Sequence, residues 1–351
     1  MTRTLSVAGA IREATDQALA ADPRVYVIGL GAPDPKGIFG TTLGLAEAHG
    51  ADRVLDMPAS ENAMTGIVIG SAIAGQRPIL THQRVDFALL SLDQLINNAA
   101  KWHAMFGGLM TVPLVVRMVI GRGWGQGPQH SQSLHGLFAQ IPGLKVVAPA
   151  TAHDAKGLLA AAVQDDNPVI YLEHRWLHHV VGEVPEASYT TPIGEARVAR
   201  AGRDLTIVAS SYQVLESLRA AEVLAEQGVD AEVVDLRTLR PLDEAGILAS
   251  VRRTGRLLAV DGGWRAAGFA AEILAIAAEG AHEAWRAAPA RITLPDRPTP
   301  TSWPAAQRYY PGVPEIVAAA RRMLGLPEGP RVAVEAGRYG DQPSPEFRGP
   351  F

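Results

Sequence analysis

Short β-branched and aliphatic runs alternate along this chain with Ala- and Leu-rich stretches of helical period, and this alternation restricts the fold more than any other feature. It is the pattern of strands joined by crossover helices in a parallel sheet. The spacing predicts strands at 25–29, 77–81, 113–118, 144–149 and 168–173, with helices between them. A second series follows, with strands at 205–210, 231–236 and 256–261 and helices near 212–227, 243–253 and 266–279. The segment 182–204 between the two series reads as a loop. Two stacked α/β domains are therefore expected, over residues 1–190 and 191–326. From Pro327 the chain is rich in Pro and Gly and loses all periodicity, so 327–351 reads as an extended arm.

The length of 351 residues, with 47% hydrophobic and 19% charged, suits two domains with substantial cores. A net charge of -4, with acids and bases intermixed, offers no basic field for nucleic acid. With no cysteine, the chain has no disulfide framework, thiolate nucleophile or thiolate metal site. The N-terminal stretch lacks the continuous apolar segment of a signal peptide, and no run approaches the roughly 20 apolar residues of a membrane span. A cytoplasmic protein without a membrane partner is expected.

Ligands collect at the carboxyl ends of the strands in open parallel sheets. The loop "GRGWGQGPQHSQSLHG" (121–136) leaves such an end, and its glycines let backbone approach a ligand closely. His130, with Gln129, Ser131 and Gln132, supplies groups for proton transfer and hydrogen bonding. On residue types alone, a mobile loop whose histidine caps the next helix remains equally open. Neither a P-loop nor a dinucleotide fingerprint is present: "GLGAPDPKG" and "VDGGWRAAG" both fail the required spacing.

The stretch "MPASENAMTGIVIGSAIAG" (57–75) reads as a buried helix with one carboxylate, Glu61, at its mouth. Ser60 is a good N-cap, and an acid in the first turn gains ~0.3–1 kcal/mol from the helix dipole. Glu61 is thus either a helix-start residue or a chemical one. In "EHRWLHH", His174 and His178 stand four apart, but the segment leaves a strand, so a solvated or interface loop is expected rather than a metal site. His103 and His153 read as helix-surface residues.

Four segments together resemble one family: "ENAMTGIVIGSAIAGQRP", "DFALLSLDQLINNAAKWHAMFGG", "GPQHSQSLHGLFAQIPGLKVVAPATAHDAKGLL" and "DLRTLRPLDEAGILASVRRTGR". They resemble the beta subunit of the thiamine-diphosphate-dependent decarboxylating component of 2-oxo acid dehydrogenases, which is similar to the pyrimidine-binding and C-terminal domains of transketolase. The resemblance covers about residues 5–325 in unbroken order. It implies that Glu61 is the carboxyl group that meets the cofactor's aminopyrimidine nitrogen in an apolar cleft, favouring the tautomer that activates the thiazolium carbon. It further implies that Phe87 contacts the pyrimidine ring and that His130 faces the substrate. Asp165 and Asn167, in "AAAVQDDNPV", match a family loop that holds a monovalent cation such as K+, although they equally suit a helix-to-strand turn.

The family's G-D-G motif, with its later Asn, is absent from this sequence. The resemblance therefore implies an alpha chain that supplies the diphosphate and Mg2+ contacts, in an α₂β₂ assembly with the cofactor at the subunit boundary. Three departures stand out. Leu30 and Gly31 replace an acidic pair, "THQRV" (81–85) replaces an apolar E-F-M-T-F, and Arg122 and Trp124 precede the histidine loop. If they point into the cleft, His82 and Arg84, with Gln129, would suit an anionic or hydroxylated substrate; facing a partner or solvent is the other reading.

The reaction implied is cleavage next to a carbonyl and transfer of the acyl or ketol fragment to an acceptor. That acceptor is a lipoyl group on an acyltransferase, or an aldehyde or carrier-protein thiol in a two-chain transketolase-like enzyme. A non-catalytic scaffolding subunit is the competing class, disfavoured by the joint presence of Glu61, Phe87 and His130.

Overall fold

The computed structural model describes residues 2–122, 125–330 and 332. Its first half contains strands β1 (Thr2–Ser6), β2 (Val25–Gly29), β3 (Val54–Leu55), β4 (Arg77–His82), β5 (Val115–Ile120), β6 (Lys145–Val147), β7 (Val169–His174) and β8 (Val181–Pro185). Between them lie helices α1 (Val7–Ala21), α2 (Leu45–His49), α3 (Glu61–Ile73), α4 (Val85–Ala88), α5 (Ala100–Met105), α6 (His135–Ala139) and α7 (Ala152–Gln164). The second half adds β9 (Arg197–Arg200), β10 (Leu205–Ala209), β11 (Ala231–Asp235), β12 (Thr238–Arg240), β13 (Leu257–Trp264) and β14 (Ala290–Leu294). Its helices are α8 (Tyr212–Glu226), α9 (Glu244–Thr254), α10 (Phe269–Gly280), α11 (Trp303–Ala306) and α12 (Val313–Met323).

Seven strands form the first sheet in the order β12-β6-β7-β5-β4-β2-β3, parallel except for β12. Every residue of β5 is buried, as expected of a central strand covered by helices on both faces. Arg117 on β5 donates to both carboxylate oxygens of Glu173 on β7, at 2.9 and 3.1 Å, with both side chains fully buried. Pairing makes this burial tolerable; removing either partner would strand a charge in the sheet.

The second sheet has the order β14-β13-β10-β11-β9, with only β9 antiparallel. Alternate residues of its strands face opposite layers. Ile207, Val233 and Leu258 pack with α8 and α12, whereas Val208, Val234 and Ala259 pack with α9 and α10. The latter core is continuous with Phe138, Val146 and Leu172 of the first half. The halves also interlock through β12, which leaves the second sheet's territory to pair with β6.

Two readings change here. The stretch 182–204 contains β9 and most of β8, which pairs with β1 in a two-stranded ribbon. Their short, partly exposed runs carry little apolar periodicity, so they read as loop. Of the arm from Pro327, only 327–330 and 332 are among the described residues. No helix among them is long and apolar enough to cross a membrane.

Candidate active site

In the first sheet the chain steps from β2 outward to β3 and then returns to place β4 on the other side of β2. The crevice at the carboxyl ends of β2 and β4 is therefore a topological switch point, where crossover helices on opposite faces leave room for a ligand. Glu61 follows β3, His82 ends β4, Phe87 sits in α4 and the loop bearing His130 follows β5.

Glu61 starts α3 and is 9% exposed. Its backbone carbonyl accepts from the Thr65 hydroxyl at 2.7 Å, and the same hydroxyl meets Ser91 at 2.9 Å. This ties the helix start to the segment after Phe87. The Glu61 carboxyl itself has no hydrogen-bond or ion-pair partner among the described residues. Ser60 occupies the N-cap, but its side chain makes no capping bond.

Phe87 meets His130 edge to face, with ring centroids 5.2 Å apart. The His130 loop is held to the α4 segment on two sides. Gln132 donates to Asp86 at 2.7 Å, while Arg84 donates to the Gly121 carbonyl at 2.9 Å and to the Gln126 side chain. Arg84 and His82 are both 2% exposed, so they turn inward. Burial, with the nearby Arg175 charge, lowers the Arg84 pKa to about 10, which leaves it charged at neutral pH. Burial pushes His82 down to about 4, so it is a neutral imidazole, and its Nε2 has no partner. Gln129 is exposed at the loop's tip. His130 does not cap the following helix; the N-cap of α6 is Leu134.

The structure bears on three further expectations. First, α3 is not buried throughout: Ile67 is 60% exposed. With Leu90 at 64%, Met105 at 64% and Leu109 at 90%, it belongs to an unusually apolar exterior around α3 to α5. Second, of the two alternatives for "EHRWLHH", a solvated loop or an interface one, the segment is the interface one, packed between the domains. His178 is 1% exposed beside Glu173, and His174 stacks on Tyr212 of the second domain at 4.9 Å. Burial first, then the Arg122 charge, holds His174 well below the usual histidine range. His179, which alone of the three is exposed, is the one the solvated alternative fits.

Third, Asp165 and Asn167 lie before β7, at the amino end of the sheet and away from the crevice. The carbonyls of Val163 and Asp165 accept from Arg77 at 3.0 and 3.1 Å, and Arg77 also pairs with Asp166. The Asp165 carboxylate accepts from Lys145 and from the Asn167 amide groups. Arg77 and Lys145 thus engage the Asp165 carbonyl and carboxylate. Among the described residues no cluster of three or more His, Asp or Glu could hold a metal.

The sequence reading missed His135 and Asp261, which meet at 2.6 Å with both side chains buried. Asp261 also accepts from the backbone of Gly263 and Ala270. Burial opposes the charge on His135, but the Asp261 carboxylate outweighs it and raises the histidine's pKa. The available signal was an acid ending the apolar run "LLAV", but its partner lies 126 residues away. Trp124, singled out in the sequence, lies outside the described residues.

The family model of the transketolase pyrimidine-binding domain matches residues 3–179, and that of the transketolase C-terminal domain matches 194–316. The chain belongs to the transketolase-like family. Within it, the beta subunit of acetoin:2,6-dichlorophenolindophenol oxidoreductase from Cupriavidus necator is 44% identical over 92% of this chain and 98% of its own. The mitochondrial pyruvate dehydrogenase E1 component subunit beta-1 of Arabidopsis thaliana is 40% identical, over 91% of this chain and 89% of its own. A solved split-gene transketolase, an inactive tetramer of beta chains, covers 90% of this chain and 98% of its own at a TM-score of 0.73. At 22% identity it speaks to the fold alone. The relatives are beta subunits, and this family member has their length and domain order.

Proposed function

We propose that this chain is the beta half of a thiamine-diphosphate-dependent 2-oxo acid or hydroxyketone dehydrogenase, acting with an alpha chain in an α₂β₂ assembly. The observation that carries the proposal is Glu61, 9% exposed at the switch-point crevice, whose carboxyl has no partner among the described residues. A group left in this state fits a ligand that brings its own hydrogen-bonding nitrogen, as the aminopyrimidine does. Thiamine diphosphate supplies, when bound, a nucleophilic carbon and a sink for the electron pair of the cleaved bond.

The chain's own residues would do the rest. Glu61 would hold the cofactor by a hydrogen bond to its pyrimidine ring nitrogen. Phe87 gives the ring an apolar contact, and its edge-to-face packing orients His130. His130 then moves a proton at the substrate's oxygen. Arg84 donates through its two terminal nitrogens to the Gly121 carbonyl and to Gln126, so it positions the His130 loop, while its Nε has no partner. His82, neutral and with Nε2 unpaired, suits an uncharged oxygen better than an anion. Gln129, exposed in the same loop, would meet the substrate from the solvent side.

An alpha chain would bring the diphosphate and Mg2+ contacts that this sequence lacks, and the apolar exterior around Ile67 and Leu90 supports a partner there. A K+ ion at Asp165 and Asn167 would share the Asp165 acceptors that Arg77 and Lys145 engage. The relatives' names favour an oxidative acceptor, a lipoyl group or a redox dye, over an aldehyde.

Glu61→Gln in the assembled enzyme is the test. Turnover should fall by three or more orders of magnitude, about 4 kcal/mol of transition-state stabilisation, with the assembly intact. Full activity in that variant would overturn the assignment.

A further inference from the structure

A second crevice lies between the domains, and none of Glu61, Phe87 and His130 lines it. Its volume is about 890 Å³, within the range of small-molecule and cofactor sites. The second sheet explains its location. From β10 the chain goes to β11 on one side and then crosses to β13 on the other, so the carboxyl ends of β10 and β13 form that sheet's own switch point. The turn Ser210–Ser211 leads there from β10 into α8, a helix of 15 residues whose N-terminus faces the cavity.

Two side chains at that turn are built for a ligand. Ser211 is 5% exposed and Gln213 7%; both line the cavity, and neither Ser211 Oγ nor Gln213 Oε1 has a partner. Ser211 does not even cap its own helix. Enclosed hydroxyl and amide groups without partners are rare because each costs about 1–3 kcal/mol.

The charges point the same way. The Arg308 guanidinium lines the cavity and has no ion-pair partner among the described residues, and Arg122 lies against Trp176 and Tyr310 on another wall. The two lining carboxylates are already engaged. Glu216 accepts from Tyr212, Arg219 and the Val313 backbone, and Glu315 from the Gly312 backbone. Asp261 holds His135 on a third wall.

We propose that this interdomain crevice binds an organic phosphate monoester with a hydroxylated, partly aromatic body. The phosphate sits at the α8 N-terminus, taking the Ser211 hydroxyl and Arg308. A ligand hydroxyl donates to Gln213 Oε1, and the body lies along the stacked His174 and Tyr212 rings. Gly121, Arg122, Ser133 and His135 belong to the segment that also carries His130, so one loop walls both crevices.

The test is calorimetric binding of adenosine 5′-monophosphate to the chain assembled with its alpha partner, with thiamine diphosphate and Mg2+ kept saturating so that the other crevice is filled. Saturable binding is expected, weakened about tenfold or more in both Ser211→Ala and Arg308→Ala. Adenosine and inorganic phosphate, tested alone, should each bind at least about tenfold more weakly. Arg308 is exposed, so its variant keeps the fold even if the Ser211 variant does not. The proposal is overturned if no saturable binding occurs, if Arg308→Ala binds as tightly as the parent chain, or if inorganic phosphate matches the nucleotide. No turnover is read, so failure here leaves the role of Glu61 untouched.

Discussion

At the amino end of the seven-stranded sheet charged groups find one another, and at the carboxyl end they do not. Asp165 meets Lys145, Asp166 meets Arg77, and the last carbonyls of α7 accept from Arg77. Across the sheet, Glu61 has no carboxyl partner among the described residues, and the enclosed His82 leaves its Nε2 unpaired. Folding free energy alone favours the first arrangement, because each enclosed polar group without a partner costs about 1–3 kcal/mol. In this comparison the paired groups hold the fold, and Glu61 and His82 are left open to something outside the chain.

The largest effect expected is on Glu61. Glu61→Gln should remove at least about a thousandfold of turnover and leave the melting temperature unchanged or slightly higher, because nothing in the protein loses a partner. A parallel fall in melting temperature would erase the contrast between the two ends. Next come the apolar side chains beside the crevice. Ile67→Asp with Leu90→Asp should split the assembly in sedimentation or size-exclusion measurements while the circular dichroism of the chain persists. Unchanged assembly would show that this exterior faces water.

The amino end predicts the opposite signature. Arg77→Met should lower unfolding free energy by about 1–3 kcal/mol in a denaturant titration and leave kcat unchanged. A smaller effect comes from pH. His82, pushed down to about 4 by burial, is protonated in the unfolded chain across a range where the folded chain stays neutral. Between the two pKa values, about 4 and 6.5, the unfolded state binds more protons, so stability falls as pH is lowered through that window. His82→Gln should flatten this slope by up to about 1.4 kcal/mol per pH unit, and Arg77→Met should not. Least of all, exchanging K+ for Na+ should leave the melting temperature unaltered, since Arg77 and Lys145 already hold the acceptors at Asp165.

Much of this was legible in the sequence. Each of the eight expected strands exists within a few residues, because buried parallel strands are near-continuous aliphatic runs and their crossover helices carry a strong period. The six strands left unread were short, partly exposed or antiparallel: β3 has two residues, β14 is largely half-buried, and β1, β8, β9 and β12 owe their pairing to distant segments rather than to their own pattern. Glu61, Phe87 and His130 were legible through the resemblance. Residue types alone left Glu61 between a helix-start role and a chemical one.

Local sequence by itself determined the alternation of strand and helix, the division into two sheets and the acid at the mouth of an apolar helix. These depend on period and residue type, which neighbours along the chain fix. Only the tertiary structure decided which acids would be neutralised: Asp165 by Lys145, Asp261 by His135, Glu173 by Arg117, and Glu61 by none of the described residues. Each of those pairs joins segments 20 to 126 residues apart. Electrostatic pairing depends on distance in space and on exclusion of water, and the order of residues fixes neither until the sheets are packed.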